Sequence, residues 1–313
     1  MPLDTLRTIA LEKSRKQPKQ IDFLTEEAPI LNLLPFTAST HDMWHAADQL
    51  DAADAMGFVA MDQPLPEVGS TSRLIKFDLA KMGGVIEVGE DKAKQYGGKE
   101  KYFADKTGPV LKVTGMNTER VIVYDNLRQY ALDKFLAGET THTVYSAGGS
   151  GNANYSIVAA RFEEGVCSGL YNSKGFGNGV MFDTLPINGG ALYKVAAGVL
   201  VYGVRMKCDL GFMVAGTRNV GAIVNIDIAT GKLPTAMQID DLLADIRATG
   251  SGRTMLFMHE RVLSALGRAF KGDQIRLRPA DRNIDMAIES WNRVPMVTSY
   301  NLYDGSEANV ALS

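Results

Sequence analysis

The sequence has few of the residues that build disulfide frameworks and metal or acid–base sites, because its 313 residues include only two cysteines and four histidines. Cys167 and Cys208 are too few for a disulfide framework, and we expect both to be buried, reduced thiols, in keeping with synthesis in the cytoplasm. There is no apolar run of about 18 residues, so no membrane span is predicted. The first twenty residues carry charges throughout, and we expect no secretory signal there.

The chain also lacks a large excess of charge of either sign. Its formal net charge of −3 gives no general attraction to nucleic acid or to an anionic membrane. The composition, 45% hydrophobic and 22% charged, is that of a globular protein with a sizeable core. Glycine is abundant, with 31 residues, many of them inside apolar segments. This favours twisted strands, bulges and irregular connections.

The most informative stretch spans residues 252–302. The apolar run Thr254–Met258 predicts a strand buried on both faces. A helix that ends at Gly272 is predicted next, and its apolar stripe consists of Val262, Leu263, Leu266, Ala269 and Phe270. A polar loop, residues 273–285, then leads to a strand region, residues 288–300. The loop arginines are Arg276, Arg278 and Arg282. Together these elements predict a compact α/β unit.

A second helix is predicted just before this unit. Thr235 and Gln238 have the spacing of a capping box. The apolar stripe that follows, down to Gly250, consists of Ile239, Leu242, Leu243 and Ile246. We expect this helix to cover one face of the strand at Thr254–Met258, and the helix containing Val262 to cover the other.

Three segments in the middle of the chain carry further patterns. Residues 116–120 are predicted to start a helix that stops at Gly138, with Tyr124, Leu127, Ala131, Leu132 and Phe135 at helical spacing. Strands 156–162 and 166–171 are predicted to form a β-hairpin that turns at residues 163–165. Strands 204–207 and 210–214 are predicted to be separated by Asp209.

Residues 37–97 form an unusual segment. Alternation predicts strands at 71–82 and 85–88, whereas residues 45–56 are compatible with a helix, so that assignment stays open. Residues 51–72 contain Pro64, Pro66 and Gly69 and offer no consistent core face. A long excursion of this kind is marginal by itself. We therefore expect it to gain stability from another molecule.

Several apparent sites fail on chemistry. His41 and His45 have the spacing of a zinc-protease helix motif, with Asp48 or Asp51 as possible third ligands, but Asp42 stands where the general base glutamate belongs. Neither glycine-rich loop, at 148–151 or 175–179, has a phosphate-binding pattern, and Ser150 is not in a nucleophile elbow. We predict no catalytic residues, no cofactor-binding residues, no cofactor and no metal ligands.

The N-terminal residues 1–36 predict two short helices, at residues 4–13 and around Thr25 to Pro29, where Thr25 has capping character. Five basic residues against two acidic ones in the first twenty are compatible with contact with a nucleic acid. A solvated arm is the preferred interpretation.

Three passages carry a resemblance to a known family. The closing passage contains the turn Met258-His259-Glu260-Arg261 and the strand Asn292-Arg293-Val294-Pro295-Met296. It resembles the end of the major capsid proteins of tailed bacteriophages, although Arg293 replaces the family's glycine. Ala28 to Phe36 is similar to the segment that precedes the family's extended loop. Residues 148–175 resemble a glycine-rich block of a podophage-type branch, with Lys174-Gly175 displaced by one position.

This resemblance implies an α+β, HK97-like capsid fold with permuted connectivity. It divides the chain into an N-terminal arm (1–36), an extended loop that lies across a neighbouring subunit (37–97), a peripheral domain with a long spine helix (98–145), strands shared by two domains (146–230) and an axial domain (231–313). The implied function is self-assembly, through pentamers and hexamers, into an icosahedral virion shell that encloses the genome.

The implied partners are further copies of the chain, scaffolding, portal and decoration proteins, and non-specific contact with packaged DNA, with no membrane. The arginine loop 273–285 would lie near the ring axis by analogy. Two alternatives stay open at this point: an encapsulin-type nanocompartment shell protein and a soluble enzyme of unknown class.

Overall fold

The structure is a computed structural model that describes residues 4–13, 18–59, 61, 63–138, 143–172, 174, 182–195, 198–216, 218–248, 254–270, 275–277 and 289–312. The basic run 15–17, the glycine-rich loop 175–179, the helix end at Gly272, and Arg278 and Arg282 of the polar loop lie outside these residues.

The described helices are α1 (Leu6–Lys13), α2 (Pro18–Thr25), α3 (Pro29–Leu33), α4 (Glu90–Gln95), α5 (Lys99–Val121), a π-helical segment (Ile122–Arg128), α6 (Gln129–Leu136), a 3₁₀ turn (Ile187–Gly190), α7 (Ala236–Asp245) and α8 (Glu260–Ala269). The described strands are β1 (Phe36–Ala38), β2 (Trp44–Ala53), β3 (Ser70–Asp78), β4 (Ala80–Gly89), β5 (Val144–Ser146), β6 (Tyr155–Arg161), β7 (Cys167–Tyr171), β8 (Phe182–Pro186), β9 (Tyr193–Lys194), β10 (Leu200–Val214), β11 (Val220–Ile226), β12 (Thr254–Met258), β13 (Ile275–Leu277), β14 (Glu289–Trp291) and β15 (Val294–Thr298).

A six-stranded sheet is built around β10. Its order is β1-β7-β10-β4, and β8 and β9 also pair with β10. The prediction of two strands separated by Asp209 is wrong, because β10 runs without interruption for 15 residues. On one edge β10 changes partner at this point: it pairs with β8 up to Cys208 and with β7 from Leu210 onward. The buried Asp209 therefore marks a change of partner and not a break.

A seven-stranded sheet, in the order β13-β14-β15-β12-β6-β11-β5, contains the predicted C-terminal unit. The prediction for β12 is confirmed, since it lies between β15 and β6 and is mostly buried. Helix α8 and the capping box of Thr235 and Gln238 at the start of α7 are also confirmed.

We expected α7 and α8 to cover opposite faces of β12. This expectation is wrong, because both helices pack on the same face. The stripes of α7 and α8 join Leu256 and Met258 in one cluster, whereas Phe257 belongs to another cluster with Tyr124 and Leu127. Alternate residues of a strand point to opposite faces. The second face is therefore packed against the helix that contains Leu127.

The predicted hairpin of residues 156–171 is wrong. Strand β6 pairs with β11 and β12 in the seven-stranded sheet, while β7 pairs with β1 and β10 in the other sheet. A tight turn in which Cys167 N–H donates to the Glu163 carbonyl carries the chain from one sheet to the other. Both strands are buried on both faces, so their sequences carry no alternation that would reveal their partners.

The strand region 288–300 consists of two strands and not one. β14 and β15 form an antiparallel hairpin that turns at Asn292 and Arg293, whose φ angles are 46° and 72°. Glycine adopts such angles without steric cost, which accounts for the glycine that the resemblance places at the position of Arg293.

A continuous helical rod, here called the spine helix (residues 99–136), is formed by α5, the π-helical segment and α6. The prediction that a helix starts at residues 116–120 is wrong, because the rod begins at Lys99 and includes Pro109. Proline costs a helix about 3 kcal/mol, and packing against α2 and α3 offsets this cost.

The N-terminal residues differ from the expected solvated arm. The apolar faces of α1 and α2 are buried in the core with Leu111 of the spine helix, through Leu6, Ile9, Ile21 and Leu24. Pro29 opens α3 as predicted, but Thr25 ends α2 instead of capping α3, and its hydroxyl donates to the Ile21 carbonyl.

The contact between α2 and the spine helix requires a glycine. A Cβ at Gly115 would lie 1.8 Å from the Leu24 carbonyl oxygen. We expect Gly115→Ala to destabilise the subunit by ~1–3 kcal/mol, because one backbone must move. The free energy of unfolding in urea measures this change.

Gly267→Ala in α8 is the matched control, because a Cβ there meets nothing within 4 Å. It should leave stability unchanged or raise it by up to ~1 kcal/mol, the helix preference of alanine over glycine. Equal effects of the two substitutions would contradict the close packing of α2.

Candidate intersubunit surface

The extended hairpin is formed by β2 and β3, which pair antiparallel from Trp44 and Asp78 at its base to Ala53 and Ser70 near its tip. These strands form a two-stranded sheet separate from both large sheets. The helix alternative for residues 45–56 is therefore wrong. The predicted strand 71–82 is divided at Leu79 into β3 and β4. At ~3.4 Å per residue the hairpin places its tip ~30 Å from its base.

The base of the hairpin is anchored in the core. Ala47 and Leu79 are buried against Leu170 and Met213 of the six-stranded sheet. The Leu79 N–H donates to the Met43 carbonyl oxygen at 2.8 Å, which closes the base. The base is thus held by the subunit's own core.

Among the residues that the structure describes, none gives the tip comparable cover. Four large apolar side chains, Met56, Phe58, Met61 and Leu65, have exposed fractions between 84% and 110%. Several large exposed apolar side chains within one short segment mark an interaction site. Sequence reasoning identified the segment but not these residues. The signal that could have identified them is that large apolar residues stand among prolines and acidic residues in a segment with neither helical nor strand periodicity.

The hairpin beyond its anchored base is also acidic. Between residues 46 and 69 the sequence has five acidic residues and neither lysine nor arginine: Asp48, Asp51, Asp54, Asp62 and Glu67. Asp54 accepts a hydrogen bond from the Gly69 N–H, which pins the start of the tip to its end. A partner surface for this tip should therefore be apolar with positive charge nearby.

The histidine pair lies at the base of the hairpin and not on a helix. The His41 ring stacks on Trp44 at 3.6 Å, and His45 lies in β2, where its Nδ1 accepts from the Thr40 N–H. Burial and the nearby His41 lower the pKa of His45. The carboxylate of Asp48 accepts from the Ser72 hydroxyl. The described residues contain no group of three or more potential metal ligands.

The first glycine-rich loop has a structural role. The Gly149 N–H donates to the Asn225 carbonyl at 2.8 Å, and the Gly148 N–H donates to the Ser146 hydroxyl. Ser150 is exposed beside them. The loop thus ties β5 to the end of β11.

Two buried carboxyl groups join the spine helix to distant parts of the chain. Glu119 accepts hydrogen bonds from the Ile30 N–H at 3.0 Å, the Leu31 N–H at 3.4 Å and the Asn301 side chain at 3.3 Å. It thereby links α3, the spine helix and the segment after β15. Burial raises the pKa of Glu119 to about 7, although the hydrogen bonds act in the opposite direction.

The second group, Glu307, lies in the C-terminal segment. Tyr124 and Arg128, both in the π-helical segment, donate to its two oxygens at 2.8 Å, and Ser156 of β6 also donates. Burial raises the pKa of Glu307, and Arg128 opposes this. The π-helical segment and β6 are therefore fixed to the C-terminal segment.

Both cysteines are free and buried, as predicted. Burial raises the pKa of the Cys167 thiol to about 12 and raises that of Cys208 as well. Neither thiol is reactive at neutral pH.

Comparisons with solved structures place this fold among the HK97-like capsid proteins of tailed bacteriophages. A chain of the cryo-EM structure of bacteriophage Epsilon15 aligns with a TM-score of 0.53 at 14% identity, covering 88% of each chain. The bacteriophage JBD30 capsid aligns with a TM-score of 0.51 at 11% identity, covering 96% of this chain and 99% of that one. The SrpI encapsulin of Synechococcus elongatus aligns with a TM-score of 0.42 at 12% identity, covering 72% and 91%. At this TM-score the likeness to the encapsulin carries no argument for that alternative.

The family follows from sequence. The model of the family described as Major capsid protein GP7 matches residues 16–310. The chain belongs to this family of major capsid proteins, and its function is to form the capsid shell. A comparison with curated proteins found no match. No helix among the described residues is long and apolar enough to cross a membrane.

The raised pKa of Glu119 predicts that the stability of the folded subunit depends on pH. Its pKa rises from 4.5 in the unfolded chain to about 7 in the fold, so the fold favours the protonated form. Stability contributed by this group is present below pH 4.5 and is lost as the pH rises to about 7. Glu119→Gln should remove this loss, and unfolding midpoints measured from pH 4.5 to 7.5 test it.

Glu100→Gln, an exposed change on the same helix, serves as the control and should retain the wild-type profile. Parallel profiles for wild type and Glu119→Gln would show that the Glu119 carboxyl stays ionised in the fold.

Proposed function

We propose that copies of this chain assemble through pentamers and hexamers into an icosahedral shell around a phage genome, with the extended hairpin lying across a neighbouring subunit. The observation that carries this proposal is the exposed apolar tip on a base that is anchored in the core. A surface of this kind is stable in water only when it is covered.

The free energies of burial and association favour assembly in many copies. Burying a large apolar side chain contributes ~1.5–3 kcal/mol, so Met56, Phe58, Met61 and Leu65 together contribute ~6–12 kcal/mol. Association costs ~4–15 kcal/mol. A single hairpin contact is therefore marginal. A closed ring in which every subunit both gives and receives a hairpin stabilises each contact through the others.

The division of the chain extends this proposal. Residues 37–97 act as the extended loop, 98–145 as the peripheral domain and 231–313 as the axial domain, with residues 146–230 shared between the two domains. The seven-stranded sheet supports this sharing, since it combines β5, β6 and β11 with β12 and β15. Residues 1–36 correspond to the N-terminal arm of this division, and their helices α1 and α2 are packed on the spine helix.

The proposed setting is a virion assembled in the host cytoplasm, where the chain is made. Scaffolding, portal and decoration proteins are proposed partners by analogy with the family, and contact with packaged DNA is non-specific. We propose no catalytic activity, cofactor or metal ligand for the subunit.

Replacing residues 48–72 by Asn-Gly tests the bridging role. The anchor at Ala47 is retained, so the subunit should stay soluble and folded. Shells should be absent from electron micrographs, and the shortened chain should elute as a monomer or a small oligomer in size-exclusion chromatography. Normal particles from this chain would refute the bridging role.

Two companion variants separate length from chemistry and from folding. A chain with serine at positions 56, 58, 61 and 65 keeps the hairpin length but loses its apolar contacts, and it should also fail to form shells. Leu266→Asp places a charge in the core, because Leu266 is fully buried, and it should abolish soluble expression.

A further inference from the structure

Strand β4 forms one edge of the six-stranded sheet. It pairs with β10 along its whole length, from Ala80 to Gly89, and no other described strand pairs with it. Its ten residues include no proline, and its register with β10 has no bulge. Natural proteins protect edge strands with prolines, bulges or short length, because an open edge offers unpaired N–H and C=O groups to another chain. The edge of β4 is therefore a template for one further strand.

The residues of β4 keep this edge accessible. Gly83 and Gly84 lie in the middle of the strand and are exposed, and a Cβ at Gly84 would meet nothing within 4 Å. Glycine weakens the interior of a strand, and it often marks a place where another backbone approaches closely. Met82 and Ile86 pack against the core cluster that includes the spine helix, whereas Val85 on the other face is 51% exposed. The core thus covers one face of β4 and leaves its edge open.

We propose that β4 pairs antiparallel with β4 of a second copy of the chain, about a twofold axis at Gly84. This inference rests on the proposed function and deepens it, because it names the contact that joins one ring of subunits to the next. The hairpin contact joins different patches of two copies, and heterologous contacts of this kind close into rings. A shell also needs contacts between rings. The contact of one patch with itself about a twofold axis supplies them.

The charges on β4 select the register of this pairing. A twofold axis between two antiparallel copies of a strand places one residue opposite its own copy, and side chains of opposite residues lie on the same face. With Gly84 on the axis, Lys81 of each copy lies opposite Glu87 of the other. Both residues are exposed. One oxygen of Glu87 accepts from the Tyr193 hydroxyl at 2.7 Å, which leaves the second oxygen for the lysine.

The other pairs in this register are also complementary. Met82 lies opposite Ile86, so an apolar pair continues the core face, and the exposed Val85 covers Gly83 of the second copy, where a side chain is missing. Moving the axis by one residue to either side places both charged residues opposite apolar residues or glycines. An axis perpendicular to the sheet also keeps the spine helices of both copies on the same face, as a continuous shell requires.

A cysteine on the axis tests the pairing. Opposite Cα atoms in an antiparallel pair are about 4.5–5.5 Å apart, which is within the range of a disulfide, and the two natural thiols are buried. Oxidised shells of Gly84→Cys should run mainly as dimers on a non-reducing denaturing gel. Gly89→Cys is the matched control, since a Cβ there also meets nothing within 4 Å. Its two copies would lie about 34 Å apart, so it should remain monomeric.

Charge reversal tests the register. Lys81→Glu places two acids opposite each other at both ends of the pair, and Glu87→Lys places two bases there. At low salt, where such repulsion is screened least, each single variant should form rings but lose shells in electron micrographs, because its hairpin is unchanged. The double variant restores opposite charges and should regain shells. A partner other than a second β4 would not give this rescue.

The outcomes separate this pairing from the proposed function. Gly84→Cys shells that stay monomeric, or that form no more dimer than Gly89→Cys shells, overturn the pairing of β4 while shell formation stands. Normal shells from either charge-reversal single variant, or a double variant that does not regain them, overturn it as well. These reversals decide alone if Gly84→Cys forms no shells. Absence of shells from the wild-type chain overturns the proposed function itself.

Discussion

The position of the spine helix is the constraint on which the rest of the structure depends, because it holds the N-terminal helices, both sheets and the C-terminal segment together. Gly115 admits the backbone at Leu24, and one turn later Glu119 receives the N–H groups of α3. The π-helical segment then brings Tyr124 and Arg128 to the same carboxyl group, that of Glu307. A buried carboxyl group without donors is costly. A shift of the helix by one residue would therefore break contacts to several elements at once.

The parts of the fold that were predicted from sequence depend on neighbouring residues. The capping box of Thr235 and Gln238, the stripes of α7 and α8, and the apolar strand β12 are all written in a few consecutive positions. The parts that were missed depend on distant pairing. β4 pairs with β10, more than one hundred residues later, and the division of β6 and β7 between two sheets leaves no local trace. Pro109 is likewise unfavourable for a helix locally, and the packing of α2 and α3 on the spine helix depends on distant residues.

The candidate site was predictable to the same extent. The prolines and the missing core face of residues 51–72 indicated a segment that needs a partner, because such a segment buries too little apolar surface by itself. The choice between strand and helix for residues 45–56 was undetermined, since the anchor of Ala47 against Leu170 and Met213 is a tertiary contact.

The acidic composition of the hairpin tip has a consequence for newly made subunits. An exposed cluster of methionine, leucine and phenylalanine would by itself promote clumping of identical chains, tip against tip. The carboxylates of Asp54, Asp62 and Glu67 at the tip, with no lysine or arginine between residues 46 and 69, make that encounter one of like charges. Repulsion of this kind weakens as salt shortens the screening length. The acids thus act as gatekeepers. They keep the adhesive side chains available for an ordered container while they discourage amorphous precipitation.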